Sequence, residues 1–182
     1  MPNPIIDPTG RAGAAAEVRL APRPASLRGA TIGLLENRKH NAALFLEELG
    51  RALVEEHGAA GYVLRAKGSI VQTAEPALVD ELVRECDVVI TGVGDCGSCS
   101  ASAVADGILF ESRGVPAAVI CSDAFVASAG AMARLRGFPD YRYLTTPHPV
   151  AVLTPEEVRQ RARALLPEVA SLLVAPEARS AA

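Results

Sequence analysis

Residues 87–100 read DVVITGVGDCGSCS, and this stretch decides the fold. Its first five residues form a short apolar run of the kind that becomes a buried strand. Gly92, Gly94 and Gly97 then let the backbone turn sharply after that strand. Small residues continue over 97–113, which is long enough for a helix. The stretch therefore predicts the strand–turn–helix unit from which α/β proteins are built.

The remainder of the chain alternates between the same two patterns. Short apolar runs that predict strands lie at 30–36, 62–65, 115–121 and 141–145. Patterns that predict helices lie at 42–57, 75–86, 123–136 and 155–173. Such alternation with short connections predicts parallel strands with helices on both faces of one sheet. We therefore expect a single three-layer α/β domain with a doubly wound, mostly parallel five-stranded sheet, flavodoxin-like or Rossmannoid, in the order 2-1-3-4-5.

Composition divides the chain into three segments. Residues 1–29 are rich in Pro, Ala and Arg without clear periodicity, and they predict an irregular N-terminal arm. Residues 30–174 hold the alternating pattern and form the predicted α/β domain. Residues 175–182 are small and polar, as expected of a flexible tail. At 182 residues the chain suits one domain better than two.

Composition and charge argue against several classes of function. A formal net charge of −3 and a pI near 5.7, without a basic stripe, argue against nucleic-acid binding. No apolar run approaches the roughly 18–20 residues that a bilayer requires, so we expect no membrane span. The N-terminus lacks the basic and apolar regions of a secretory signal, and the four cysteines fit free thiols in a reducing compartment. Together these features predict a cytoplasmic protein.

Cys96 and Cys99 carry the strongest chemical signal in the sequence. Cys96 falls where the predicted helix begins, and the positive end of the helix dipole favours a thiolate there. Cys99 lies one turn further on, so that its sulfur can reach that of Cys96 as a resolving thiol. Two alternatives stay open: a small-residue turn with incidental buried cysteines, or half of a zinc site. The zinc alternative is weak, because there is no second Cys-x-x-Cys and the three histidines do not stand at ligand spacing.

Polar residues collect at one edge of the predicted sheet, because the carboxyl ends of parallel strands meet there. His148, held between two prolines, is a candidate proton donor. Candidate substrate-binding residues at the same edge are Asn37, Lys39, Asp95, Gly97, Ser98, Ser100, Cys121 and Asp123. Asp123 and Asn41 are also good helix caps. Cys121 is better explained as a core residue than as a site residue, because most buried thiols serve packing, and we expect the same of Cys86.

Four segments of the chain form a recognisable set. They are residues 92–100 (GVGDCGSCS), 32–49 (IGLLENRKHNAALFLEEL), 111–125 (ESRGVPAAVICSDAF) and 145–150 (TTPHPV). The set resembles the UGSC family of bacterial (seleno)proteins, which is named for selenocysteine-Gly-Ser-Cys and in which many members carry Cys at the first position. The resemblance spans about residues 31–150 in the family's order and leaves the N-terminal arm outside.

The resemblance implies a redox or selenol- and thiol-dependent protein. Cys96 occupies the position of the selenocysteine and Cys99 that of its partner. The other positions that match the family's segments are Asp95, Gly97, Ser98, Lys39, Glu111 and His148. The cysteine turn also resembles the selenocysteine turn of the B components of glycine and proline reductases, in which a selenolate attacks an activated carbon. Arg38 and His40 depart from the family's pattern, so no substrate specificity is carried over.

These observations lead to one leading hypothesis and two alternatives. In the leading hypothesis the Cys96 thiolate attacks an electrophilic sulfur, selenium or carbon centre of a small molecule, Cys99 resolves the adduct as a disulfide, and an external thiol restores the pair. Lys39 or the helix amides would hold an anionic substrate group, His148 would protonate the leaving group, and no cofactor or metal is required. The first alternative is a non-redox lyase or transferase that uses Cys96 as a covalent nucleophile, with Cys99 or Cys121 as acid or base. The second is a non-catalytic subunit or binding component of a larger reductase complex. Under each hypothesis we expect a homo-oligomer or a subunit of a complex.

Overall fold

The computed structural model describes residues 19–176, and strands and helices alternate throughout this part of the chain. Within it, five strands and five helices follow one another, and a short 3₁₀ helix precedes the fourth helix. In chain order they are β1 (Thr31–Glu36), α1 (Ala42–His57), β2 (Gly61–Ala66), α2 (Pro76–Glu85), β3 (Val88–Gly94), α3 (Gly97–Ser112), β4 (Ala117–Ser122), the 3₁₀ helix (Asp123–Phe125), α4 (Val126–Leu135), β5 (Leu144–Thr146) and α5 (Pro155–Leu173). None of the helices in this part of the chain is long and apolar enough to cross a membrane.

The strands form one parallel sheet in the order β2-β1-β3-β4-β5. This order confirms the doubly wound, flavodoxin-type arrangement predicted from the sequence. The direction of winding reverses between β1 and β3, which are neighbours in the sheet although β2 separates them along the chain. In such sheets the crevice for ligands lies beyond the carboxyl ends of the strands at this reversal. The loops after β1 and β3 therefore come together there.

Helices cover both faces of the sheet, which gives the predicted three layers. Val88 and Ile90 of β3 belong to the core cluster that includes α1 and α5. Val89, between them, belongs to a second cluster with α2 and the end of α3. A third cluster joins β4 to α3 and α4 and includes Cys121. The alternation follows from the period of two in a strand, because successive side chains point to opposite faces.

β3 is longer than expected, since its glycines lie within the strand and not in the turn. A Cβ atom on Gly92 would lie 2.7 Å from the carbonyl oxygen of Ile120, and one on Gly94 would lie 2.6 Å from Cα of Ser100. The pairing register of β3 and β4 also shifts at this point. The glycines therefore allow β3 to approach β4 and α3 closely, and the turn itself begins only at Asp95. The predicted turn at Gly92 was wrong for this reason.

The segment immediately before β1 packs against the domain. Of the arm expected over residues 1–29, the first 18 residues lie outside the described part of the chain. Leu27 is 2% exposed and belongs to the core. Arg23 donates two hydrogen bonds of 2.7 Å to the buried carboxylate of Glu111 in α3. Burial of Leu27 and this paired contact attach the segment to both sides of the fold.

The two ends of the described chain meet at one edge of the sheet. The backbone N–H of Ala175 donates to the carbonyl of Pro24 at 2.9 Å. Pro24 precedes β1, and α5 runs back antiparallel to the strands, so this contact lies at the amino edge. The tail expected over 175–182 lies outside the described residues from position 177 onward.

Candidate active site at the carboxyl edge of the sheet

Cys96 stands at the start of α3, as the sequence predicts. It is the N-cap residue, and its sulfur accepts the backbone N–H of Cys99 at 3.3 Å. The hydroxyl of Ser98, which is exposed, lies 3.7 Å from the same sulfur. Gly97 lies against α4, where an added Cβ would lie 3.2 Å from the hydroxyl oxygen of Ser128. One helix amide and one hydroxyl therefore lie close to the sulfur of Cys96 at the positive end of the α3 dipole, which suits a thiolate.

Cys96 and Cys99 are joined as a disulfide with their Cα atoms 5.4 Å apart, a usual separation for such a bond. The sulfur of Cys99 accepts the backbone N–H of Asp95 at 3.2 Å. It also lies 3.2 Å from the carbonyl oxygen of Cys96, to which the thiol would donate in the reduced protein. Cys99 is completely buried and Cys96 partly exposed, so a reactant from solvent reaches the pair through Cys96.

Asp95 connects the cysteine turn to the loop after β5. One carboxylate oxygen accepts from Nδ1 of His148 at 2.9 Å, and the other accepts the backbone N–H groups of Val150 at 3.1 Å and Ala151 at 2.9 Å. Burial alone would raise the pKa of Asp95, but the N–H of Ala151, the hydroxyl of Ser122, the N–H of Val150 and the ring of His148 together hold it below its usual value. Asp95 was expected to contact substrate, and both of its oxygens are instead engaged within the protein.

His148 is held in a defined orientation by four neighbours. Because an ionised Asp95 can only accept, Nδ1 of His148 carries a proton, and in the neutral ring Nε2 is left as a free base. Nδ1 also lies 3.2 Å from the hydroxyl of Ser122, and the backbone N–H donates to Asp123 at 3.0 Å. The ring of Phe125 packs edge-on against the imidazole, with centroids 5.2 Å apart. An imidazole fixed in this way suits proton transfer.

Asp123 therefore binds the histidine backbone and does not cap a helix. No capping bond from its side chain is formed, and Asp123 is itself the first residue of the 3₁₀ helix that precedes α4. Ser122, which the sequence analysis passed over, is fully buried and donates its hydroxyl to the carbonyl of Gly94 at 3.2 Å. Its position at the end of β4, directly before Asp123, is the signal that could have found it.

The turn after β1 contributes one free cation. Asn37 is buried, its amide donates to the carbonyl of Val93 at 3.0 Å, and its oxygen accepts the backbone N–H of Lys39 at 3.2 Å. Asn37 thus joins the ends of β1 and β3 and is not presented to a substrate. Lys39 is partly exposed, and within residues 19–176 its ammonium group forms no hydrogen bond or ion pair. It can therefore accept an anionic group.

Two of the expected site residues are buried beneath the edge. Cys121 is completely buried, and burial raises the pKa of its thiol to about 12. Burial likewise raises the pKa of Cys86, which was expected in the core, to about 11. Ser100 is also fully buried, and among the described residues its hydroxyl has no hydrogen-bond partner. Cys121 and Ser100 pack around Gly94, the last residue of β3.

A buried ion pair beside α3 was not expected from the sequence. Nζ of Lys67, which directly follows β2, lies 2.5 Å from the carboxylate of Asp106 and 2.7 Å from the hydroxyl of Ser102. Lys67 and Asp106 are almost completely buried. Lysine is rarely buried to this extent without a partner, and nothing in the local sequence indicates which residue that partner is. The pair fixes the loop after β2 against the helix that begins at the cysteine turn.

The remaining features of the described residues do not add a second reactive group to this edge. A crevice of about 490 Å³ lies at the opposite edge, between residues 25–27 and the ends of α1 and α5. Residues 19–176 contain no group of three or more His, Cys, Asp or Glu side chains placed to hold a metal ion. The candidate reactive groups at the carboxyl edge are the cysteine pair and His148.

The fold and the cysteine turn define an α/β protein that carries a Cys-x-x-Cys pair at the end of its third strand. The chain belongs to the UGSC family, whose family model matches residues 4–175. The match extends well beyond residues 31–150, so the expectation that the N-terminal arm lies outside it was wrong. The resemblance of the turn to the B components of glycine and proline reductases stays a prediction.

One solved structure shows a distant similarity to this chain. A solved structure of a candidate MAR1 ribonuclease from Leishmania major shares 16% sequence identity with this chain and has a TM-score of 0.36, over 86% of this chain and 97% of that one. A similarity at that TM-score supports no argument about function. No curated protein matches the chain.

Proposed function

We propose that this chain is a thiol-dependent redox enzyme, in which Cys96 attacks a small electrophilic substrate and Cys99 completes the reaction by forming a disulfide. The observation that carries the proposal is the Cys96–Cys99 pair at the start of α3, in which Cys96 is partly exposed and Cys99 is buried. The resemblance of this position to the selenocysteine site of other family members supports a reactive group there.

The reaction consists of two displacements at sulfur. The Cys96 thiolate attacks a substrate of the form R–S–X, which forms a mixed disulfide and releases X⁻. Cys99 then loses its proton and attacks the Cys96 sulfur, which closes the internal disulfide and releases R–S⁻. The substrate gains two electrons and the cysteine pair loses two. A dithiol reductant returns these electrons by exchange at Cys96 and is itself oxidised to a disulfide.

In this reaction His148 transfers the proton between the attacking thiol and the departing group. With its Nδ1–H held by Asp95, the free Nε2 can take the thiol proton and deliver it to the departing group. The backbone N–H of Asp95, 3.2 Å from the Cys99 sulfur, stabilises that sulfur as a thiolate before it attacks. Lys39 supplies the positive charge for an anionic group on the substrate.

The test is selective alkylation of the reduced full-length protein. Limiting iodoacetamide is applied across a range of pH values and the labelled cysteines are mapped by peptide mass spectrometry, before and after mild peroxide. We expect Cys96 to react first and to stay reactive at pH 6, where an ordinary thiol with a pKa of ~8.5 is almost fully protonated. Peroxide should remove this reactivity by forming the disulfide. In the matched control Cys99→Ser, Cys96 should react with iodoacetamide as in the wild type before peroxide is added. Peroxide should then oxidise it to a sulfenic acid without forming an internal disulfide.

Other outcomes distinguish the alternatives. A reactive Cys96 that never pairs with Cys99 would favour a non-redox lyase or transferase, which the His148–Asp95 pair also suits because such pairs serve acid–base catalysis. An unreactive Cys96 would contradict both enzymes and leave a binding component of a larger complex.

A further inference from the structure

The loop after β5, residues 147–153, is held by side chains from several parts of the fold. Besides the two carboxylates described above, Arg161 of α5 donates to the carbonyl of Pro147 at 2.5 Å. From the turn between β1 and α1, Nδ1 of His40 lies 2.6 Å from the carbonyl oxygen of Ala151. Side chains from four parts of the fold therefore bind backbone groups of this loop. The loop carries the candidate catalytic histidine.

Asn41 makes the longest-range of these contacts. Its amide donates to the carbonyl of Val150 at 3.0 Å and to that of Leu153 at 2.9 Å, across more than a hundred positions of sequence. Asn41 is the N-cap residue of α1, yet its side chain caps nothing. The expectation that it caps the helix was therefore wrong, because its side chain points to the loop.

The backbone of Asn41 is strained in a way that this contact explains. Its φ of 70° lies in the left-handed region, which residues other than glycine adopt at a cost. An Asn at an N-cap normally has extended backbone and accepts a helix N–H. Asn41 has neither the extended backbone nor the capping hydrogen bond. A conformation of this kind persists when the surrounding structure holds it, and the two bonds to the loop are the contacts that do so.

We propose that Asn41 is a positioning residue for His148. By binding the carbonyls of Val150 and Leu153 it keeps the neighbouring backbone N–H groups on the carboxylate of Asp95, which also holds the imidazole. The turn after β1 therefore fixes the position of the loop after β5, and with it the position of the His148 imidazole. This inference rests on the proposed function, because it assigns Asn41 a purpose only if His148 moves protons for the cysteine pair.

The first test is amide hydrogen exchange in Asn41→Gly. Glycine accepts the left-handed backbone, so only the two side-chain bonds are removed. Loss of two ordinary hydrogen bonds should increase opening of the loop about 30-fold, and exchange of the Val150 and Ala151 amides should accelerate to that extent. The matched control is Arg38→Gly. Arg38 also has a positive φ, of 61°, but its side chain binds the carbonyl of Lys67 and not the loop after β5. Exchange of the Val150 and Ala151 amides should therefore not change in this variant.

The second test asks whether the loop's position matters to the chemistry. The pH profile of Cys96 alkylation by iodoacetamide is measured in the reduced wild type and in His148→Gln, which defines the contribution of the imidazole. Asn41→Gly should move the profile toward that of His148→Gln. Asn41→Asp is the second variant: it keeps the shape and tolerates the backbone, but as a carboxylate it cannot donate to the two carbonyls, so it should behave in the same way. Arg38→Gly should retain the wild-type profile.

The outcomes separate this inference from the proposed function. Unchanged exchange in Asn41→Gly would overturn the positioning role. Faster exchange with an unaltered alkylation profile would also overturn it, since Asn41 would then support only the loop. If His148→Gln itself leaves the profile unaltered, the proton-transfer part of the proposed function fails, and the assignment of Asn41 fails with it.

Discussion

Replacing Asp95 with Asn removes one charge from the centre of the candidate site, and its effect can be followed bond by bond. The carboxylate accepts hydrogen bonds from His148 at 2.9 Å, Val150 at 3.1 Å and Ala151 at 2.9 Å. An amide has a single acceptor oxygen, so it cannot serve both sides. If the oxygen keeps the two backbone N–H groups, the NH₂ faces Nδ1 of His148. The ring must then carry its proton on Nε2, which blocks its use as a base.

The expected loss of stability follows from the same contacts. A hydrogen bond to a charged acceptor contributes about 1.5–3 kcal/mol, against about 1 kcal/mol for a neutral one. The two backbone bonds therefore lose about 1 kcal/mol each. The imidazole is 37% exposed, and solvent screening reduces its bond to about 1 kcal/mol. The sum is about 3 kcal/mol, which is smaller than the ~5–15 kcal/mol stability of a typical domain, so the variant should stay folded.

The assay is urea unfolding together with alkylation of Cys96. The pKa of Asp95 is lower in the folded protein than in the unfolded chain, so its contribution is complete above the ordinary aspartate pKa of ~3.9 and is lost as the pH falls through the lowered value. The wild type should thus exceed Asp95→Asn by about 3 kcal/mol at pH 7, and the difference should shrink below about pH 4.

Asp123→Asn is the control for this experiment, because Asp123 is exposed and accepts one bond, from the backbone of His148. Its unfolding free energy should change by less than about 1 kcal/mol. The reasoning is refuted if Asp95→Asn unfolds at the wild-type urea concentration and its Cys96 retains the wild-type pH profile of alkylation.

Two further predictions concern the thiols and the buried ion pair. At pH 8 iodoacetamide should label Cys96 at least about tenfold faster than the two buried core cysteines, whose thiols stay protonated; equal labelling in the folded protein, read by mass spectrometry, would contradict this. Lys67→Met should lower the free energy of unfolding by about 3–5 kcal/mol, because Asp106 is left buried without its partner. Arg113→Ala, which breaks an exposed pair with Asp80, should lower it by less than about 1 kcal/mol in the same urea titration, and equal losses would count against the argument.

Much of the fold could be predicted because helical periodicity is a local signal. The bounds of α1 and α5 agree with the structure to the residue, and α5 begins with the capping box that Thr154 and Glu157 form. The strands were less accurate. β5 was expected to start at Tyr141, but that side chain packs in the cluster with α3 and α4. β5 is instead the three-residue strand Leu144–Thr146. A short apolar run alone does not determine whether its residues form a strand of the sheet or pack between the sheet and the helices.

The site was predictable to the extent that residue type and strand ends locate it. Cys96, Cys99 and His148 are recognisable from their chemistry and from the topology that brings strand ends together. The contact of Asp95 with His148 joins residues 53 positions apart, and that of Asn41 with Leu153 joins residues 112 apart. Pairings over such distances depend on the final packing of loops. Local sequence patterns therefore assigned Asp95 to substrate and Asn41 to a helix cap.

The meeting of Ala175 and Pro24 has a practical consequence for anything attached to this domain. The described polypeptide enters and leaves the fold at neighbouring points, and the sulfur of Cys96 lies on the opposite side of the sheet, where the strands end. A domain with this layout can be inserted into a surface loop of another protein without stretching its host. If the domain were tethered to an electrode or a resin near Pro24 and Ala175, Cys96 would face the solution. Its sulfur could then be assayed without interference from the tether.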